Sequence, residues 1–251
     1  MLQAILFDVD GTMADTERDG HRVAFNLAFR EAGLDWHWDV PTYGELLAVT
    51  GGKERIRHFI DNYAPTLPEV PELSEWIAGL HKAKTAHYLE LLRQGEIPLR
   101  PGVARLIDEA RQTGMRMAIT TTTTPENVTG LLRATLGDDS PGWFELIAAG
   151  DVVPAKKPAP DIYTWALERM QLSPDETIAL EDSANGVRSA RAAGVPVVVT
   201  INDYTAGDDF DGAIAVHTHL GEPDHPAGTL AGPAPAHGVV DLDHLATLLE
   251  R

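Results

Sequence analysis

The strongest constraint on the fold is a set of short apolar runs separated by helical patterns. The runs are Gln3 to Phe7, Arg116 to Thr121, Leu146 to Ala149, Thr177 to Leu180 and Val195 to Thr200. A strand that alternates apolar and polar residues keeps one wet face, whereas a continuously apolar strand is buried on both. Such strands belong to a parallel sheet with helices packed on each side. The connecting segments carry matching helix signals. Val103 to Gln112 closes on Gly114, Pro125 to Leu136 opens on Thr124 with proline in the first position, and Ala184 to Ala193 closes on Gly194. Pro160 to Met170 and Asp241 to Glu250 add two more helices. The pattern predicts an α/β doubly wound parallel-sheet (Rossmann-like) core.

Between the first two runs the chain reads as helical throughout. One helix contains Val23 and Leu27 and closes on Gly33; another covers Glu54 to Tyr63, with Ile56, Phe59 and Ile60 at core spacing. A longer one spans Leu73 to Leu92, where Ile77, Leu80, Lys84 and Leu91 mark a mixed face. Residues 15–92 are therefore expected to form an inserted all-helical cap domain, and residues 1–14 and 93–251 the catalytic core. The Pro-, Gly- and His-rich stretch Glu222 to Gly238 reads as a surface loop. His217, His219, His225 and His237 are read as solvated, because no acidic or cysteine partners stand at metal spacing.

Charge narrows the range of partners. With 38 acidic against 20 basic residues the chain carries −18, which repels nucleic acid and anionic membranes, so neither is expected as a partner. Cysteine is absent, excluding thiol chemistry and disulfides, and the run MLQAILFDVDGT is neither a signal peptide nor a membrane span. A cytoplasmic monomer acting on a small molecule is expected. A phosphorylated substrate would need cations gathered where its phosphate sits. The chain has five lysines, Lys53, Lys82, Lys84, Lys156 and Lys157, so their positions are informative.

Asp8 and Asp10 follow the first strand in FDVDGT, and in doubly wound folds ligands bind beyond the carboxyl ends of strands. Two carboxylates there can share a hard divalent cation, although a hydrogen-bonded acidic turn would use the same residues. The second run ends in five threonines, Thr120 to Thr124. Thr124 suits a helix cap, while Thr121 and Thr122 at the strand tip can offer hydroxyl and N–H groups to phosphate oxygens. Lys157, in PAKKPAPDIY, is placed to neutralise a phosphoryl group, with Lys156 read as a solvated neighbour. Glu181 and Asp182 end the fourth strand and can complete a cation site; Asp182 alone could also cap the next helix.

In this order, DxDGT, a strand-end threonine, K-P and E-D resemble the four motifs of the haloacid dehalogenase superfamily of phosphatases. The insert resembles the small helical cap of the subgroup that includes β-phosphoglucomutase. The strings TGGKERI, TTTTPEN and GDVVPAKKPAPDIY look most like the CbbY family of sugar-bisphosphate phosphatases, whose substrate is xylulose 1,5-bisphosphate. The resemblance implies that Asp8 attacks phosphorus and Asp10 acts as general acid and base, a role for which its pKa should be raised. It implies Mg²⁺ held by Asp8, the Asp10 carbonyl and Asp182, with Glu181 a weaker ligand acting through water. Thr121 and Lys157 would bind the transferred phosphoryl oxygens, alongside Thr122 and Thr123. In the cap, Glu17 is expected to meet a sugar hydroxyl, and Thr50, Gly51, Gly52, Lys53 and Arg55 to hold a second phosphate at a helix start. Tyr43 and His21 stand evenly between site and packing roles. Hinges are expected near Asp15 and Gly95. Two rival readings share the motifs: a hexose-phosphate mutase, and a non-catalytic sugar-phosphate-binding protein.

Overall fold

In the computed structural model, which describes residues 1–250, the expected α/β core is present. A seven-stranded sheet has the order β3-β2-β1-β4-β5-β6-β7. Its strands are β1 (Ala4–Phe7), β2 (Arg116–Thr120), β3 (Leu146–Ala148), β4 (Thr177–Glu181), β5 (Val197–Thr200), β6 (Ala215–His217) and β7 (Thr229–Ala231). All neighbours pair in parallel except β6 and β7, which are antiparallel. Side chains alternate across β1: Ile5 and Phe7 enter one apolar layer, Ala4 and Leu6 the other. The first layer is covered by α5 (Val103–Thr113), α6 (Pro125–Leu136) and α9 (Leu242–Leu249), the second by α7 (Asp161–Met170) and α8 (Ala184–Ala192). β1 lies between β2 and β4, the point from which the chain winds both ways, so its carboxyl end opens into a crevice between loops.

The insert holds a π-helical turn, Glu17–His21, then α1 (Arg22–Glu31), α2 (Val40–Leu46), α3 (Gly52–Tyr63) and α4 (Leu73–Arg93). It has an apolar centre of its own, rich in rings: Phe25, Phe29, Trp36, Trp38, Tyr43 and Phe59. The Trp38 ring meets four of the others in tilted or edge-to-face contacts at 4.7–5.9 Å, and Asn26 holds its backbone N–H and carbonyl with two 2.8 Å bonds. The long helix α4 serves both centres. Ile77 and Leu80 join the cap rings, whereas Tyr88 and Leu92 join the core layer. Gly130 of α6 permits this, since a Cβ there would stand 2.6 Å from Leu89. The two connecting segments run side by side, through an Ala14–Leu99 bridge and an Arg100 N–H bond to the Met13 carbonyl (2.8 Å). No described helix is long and apolar enough to cross a membrane.

Three readings need correction. The Pro/Gly/His-rich stretch contains a strand, β7, which pairs beyond β6. His217 is therefore interior and fully buried, with Nδ1 3.1 Å from the Thr229 hydroxyl and its ring facing His244 of α9. His219 is half-buried, and only His225 and His237 are exposed as expected. The predicted helix count also missed α2, whose start is Asp39, accepting a 2.8 Å bond from the Thr42 N–H.

Candidate active site

The core wall of the crevice is assembled from three strand ends and one loop. Asp8, directly after β1, is buried, with Lys157 Nζ 2.7 Å from its Oδ1. The same ammonium donates to Glu181 Oε1 (2.6 Å) and to the Thr120 carbonyl (2.9 Å), so its three protons are committed to three oxygens. Tyr163 of α7 donates to the same Glu181 oxygen. Asp8, Glu181 and Asp182 each offer an oxygen, all within 4.8 Å of one another. Gly11 adopts φ +83°, and a Cβ there would overlap the Asp182 carboxylate, so the glycine of DxDGT serves both turn and crevice. Gly186 makes room for the Glu181 carboxylate in the same way.

Three carboxylates converging out of water oppose one another's ionisation. Burial, with Glu181 and Asp10 nearby, pushes Asp8 up to about 7 despite Lys157. Burial, Asp8 and Glu181 raise Asp182 well above the usual range, against the Asn202 amide at 2.7 Å and Arg100. A single lysine leaves this group anionic in excess. An all-oxygen donor set with surplus negative charge fits a hard divalent cation such as Mg²⁺. Glu181 stands directly in the triad, although one of its oxygens is taken by Lys157 and Tyr163. Asp182 does not cap the next helix; Ser183 does, accepting from the Gly186 N–H at 3.2 Å.

Asp10 turns away from this triad toward the cap. Its Oδ1 accepts from the Thr16 hydroxyl (2.6 Å) and meets His21 Nε2 (2.8 Å), while Lys84 Nζ lies 2.8 Å from His21 Nδ1. With Lys84 donating to Nδ1, the imidazole proton sits on Nε2 and points at Asp10. The expected rise in the Asp10 pKa is not met. Burial would raise it, but the His21 ring, the two hydrogen bonds and Lys84 outweigh burial and hold it below the usual carboxylate range. Lys84 is itself pushed down to about 8 by burial, with Asp10 and Glu17 pulling it up and Arg55 down. His21, read evenly between two roles, belongs to this chain of contacts and also packs on Tyr88, ring to ring at 4.2 Å.

A second cap cluster faces the same opening. Glu17 accepts from the Tyr43 hydroxyl, Arg55 donates to that hydroxyl at 2.8 Å, and Arg55 and Glu17 lie 3.6 Å apart. Two lobes of about 460 and 530 Å³ meet at Asp10, Glu17, Gly51, Arg55 and Thr122. The first holds Asp8, Thr121, Lys157, Glu181 and Asp182, and also Thr50, whose hydroxyl accepts from Asn185 at 3.2 Å. The second holds Gly52, Lys53, Lys84, Thr123 and Lys156. Three cationic and six acidic side chains line the first lobe, against four and four in the second, so a remote anion is better tolerated in the second.

Lys156 differs from its expected role, and Lys53 is shared with a carboxylate of the core. Lys53 bonds Asp151 at 2.7 Å, and Lys156 bonds Glu54 at 3.0 Å and Asp151 at 3.1 Å, so Lys156 is a bridge between core and cap and not a solvated neighbour. The reason is proximity: the loop after β3 brings Asp151 against the start of α3. Arg100, Tyr163, Asn202 and Lys84 were not foreseen as site residues. Tyr163 lies within the quoted KPAPDIY string, and Lys84 on a helix face otherwise apolar; a buried lysine there was a usable signal. Arg100 reaches the Gly11 carbonyl, the Thr200 hydroxyl (3.1 Å) and the Thr218 carbonyl (3.0 Å), and no spacing in the sequence connects these.

Comparison with known proteins bears on this geometry. Residues 2–194 match the family model of the haloacid dehalogenase-like hydrolases. The chain is 48% identical to the plasmid-encoded protein CbbY of Cupriavidus necator, over 99% of each chain. It is 50% identical to CbbY of Rhodobacter capsulatus, covering 84% of this chain and 91% of that one. Two crystal structures of CbbY from Rhodobacter sphaeroides, one with phosphate and one a variant with xylulose-(1,5)bisphosphate, superpose with TM-score 0.81 at 47% identity, over 86% of this chain and 93% of theirs.

Proposed function

The chain belongs to the haloacid dehalogenase-like hydrolases, and from that premise we propose that it is a Mg²⁺-dependent phosphatase that hydrolyses a sugar bisphosphate, xylulose 1,5-bisphosphate, through an aspartyl-phosphate on Asp8. The observation that carries this reading is the convergence of Asp8, Lys157 and the Asp8–Glu181–Asp182 oxygens at one strand end. One relative, CbbY of Rhodobacter sphaeroides, binds phosphate in one crystal and, as a variant, this bisphosphate in another.

In this reading one phosphate of the substrate enters beside Asp8, with Lys157 and Thr121 on its oxygens and the chain of threonines continuing the wall. Asp8 Oδ attacks phosphorus in line with the departing sugar oxygen, which takes a proton from Asp10. Asp10 then takes a proton from the water that cleaves the acyl phosphate, releasing inorganic phosphate and restoring Asp8. The cycle thus returns Asp10 to its protonated form; because His21 and Thr16 favour the ionised form, a proton lost from Asp10 between turnovers has to be replaced before the sugar departs. The Lys84–His21 pair supplies a route from the cap side. Mg²⁺ bound by Asp8, Asp182, the Asp10 carbonyl and Glu181 would supply charge that stabilises the phosphoryl oxygens.

The remaining proposals concern the cap. Residues 15–92 form the domain that selects the substrate, with hinges at the paired connections near Asp15 and Gly95. Glu17, Tyr43 and Arg55 orient the sugar, and Thr50, Gly51, Gly52, Lys53 and Arg55 face the second phosphate at the less acidic, second lobe. Closure would exclude water until the acyl phosphate is made.

A phosphate-release screen over sugar mono- and bisphosphates tests the reading. We expect xylulose 1,5-bisphosphate to lead, EDTA to abolish release and added Mg²⁺ to restore it. Isomerisation of β-glucose 1-phosphate without phosphate release would replace the reading with a mutase. Binding without turnover would replace it with a sensor.

A further inference from the structure

His81, on α4 one turn before Lys84, has no role in the chemistry described above, yet it lines the second lobe with Gly51, Lys53 and Lys156. We propose that His81 is a specificity-determining residue, whose imidazole hydrogen-bonds the remote phosphate of a sugar bisphosphate and so favours that substrate over a monophosphate. The inference rests on the sugar-bisphosphate reading and names a residue that the reading does not require.

Three observations carry it. The His81 ring lies against the backbone of Gly52: a Cβ at Gly52 would stand 2.5 Å from both Cδ2 and Nε2. Gly52 lies inside α3 without positive φ, so its backbone does not ask for glycine; the ring does. The packing thus reserves space for an imidazole at the mouth of the lobe. Second, among the described residues none hydrogen-bonds the ring nitrogens, whereas the neighbouring cations are engaged: Lys53 with Asp151, Lys156 with Glu54, Lys84 with His21. The ring is half-buried and lines the lobe, so its nitrogens are left for a ligand. Third, burial, reinforced by Lys84, His21, Lys53 and Lys156, pushes His81 down to about 3, so the ring is neutral and keeps one N–H to donate.

The experiment measures kcat/KM for phosphate release from xylulose 1,5-bisphosphate and from β-glucose 1-phosphate, in the full chain and in His81→Ala. The ratio of the two constants is expected to fall about tenfold or more, the size of one hydrogen bond to a charged group. His81→Phe, which keeps a ring against Gly52 but removes its N–H, should lower the same ratio, and it keeps the test open if His81→Ala misfolds. An unchanged ratio in a folded variant overturns the proposal while the wild-type preference stands. A wild type that shows no preference for the bisphosphate overturns the functional reading, and this proposal with it.

Discussion

The two walls of the crevice hold their reactive groups by different means. On the core side Asp8, Thr121, Glu181 and Asp182 are strand termini or the residues next to them, so the ladder of the sheet sets their spacing. On the cap side Glu17, Tyr43, Arg55 and Lys84 come from a turn and three helices, and they are held by one another: carboxylate to hydroxyl to guanidinium, ammonium to imidazole to carboxylate. The core wall is a scaffold on which chemistry is mounted. The cap wall is a network whose members depend on each other, so changes there should move binding, protonation and stability together.

That contrast can be broken by substitution. Asp8→Asn should give the largest effect, a fall in kcat of at least about 10⁴-fold with the fold unchanged by circular dichroism, since under the proposed mechanism no neighbour replaces the Asp8 carboxylate as nucleophile. Residual activity near wild type would mean that another group attacks phosphorus.

Lys84→Met should lower kcat by on the order of 10²-fold, the usual contribution of proton transfer by a positioned group. It should also reshape the pH profile. Lys84 is charged below its folded pKa of about 8, so wild-type kcat is expected to decline as pH rises through that value, and the decline should be missing from the variant's residual activity. A profile with the same alkaline limb in both proteins would remove Lys84 from the proton route.

Arg55→Ala should act on stability as well as on binding. Its guanidinium is buried against Glu17 and Tyr43, so removing it leaves a carboxylate without its cation, at a cost of about 3 kcal/mol in chemical denaturation, together with a raised KM. A shift in KM alone would show the cap network to be softer than its geometry suggests. Asp151→Asn is the mildest test. Asp151 itself is exposed, so its pairs with Lys53 and Lys156 are worth about 1 kcal/mol or less, stability should hardly move, and any effect should be confined to KM and weaken in high salt.

How far the sequence could be read follows the same division. The apolar runs, the proline and glycine punctuation and the carboxylates at run ends are local features, and strand and helix boundaries fell within two residues of expectation for most elements. Two kinds of element escaped. β7 lies in a Pro- and Gly-rich stretch whose pairing partner supplies what its composition does not, and α2 is too short to show a helical period. The same strand turned His217 from a surface residue into an interior one.

Asp8, Asp10, Lys157, Glu181 and Asp182 stood in the sequence as chemistry because their meaning lies in their own residue types and in being placed after strands. The sequence by itself determined the sheet, the helical insert and the set of core carboxylates. Tertiary structure alone decided that Asp10 would be held ionised by His21, that Lys53 would be shared with Asp151, and that Arg100 would gather three loops. The reason is physical. A strand end is positioned by backbone hydrogen bonds between near neighbours in pattern. The charge state and partner of a side chain depend on burial and on groups brought close from 11 to more than 100 residues away, and no regular local spacing encodes them.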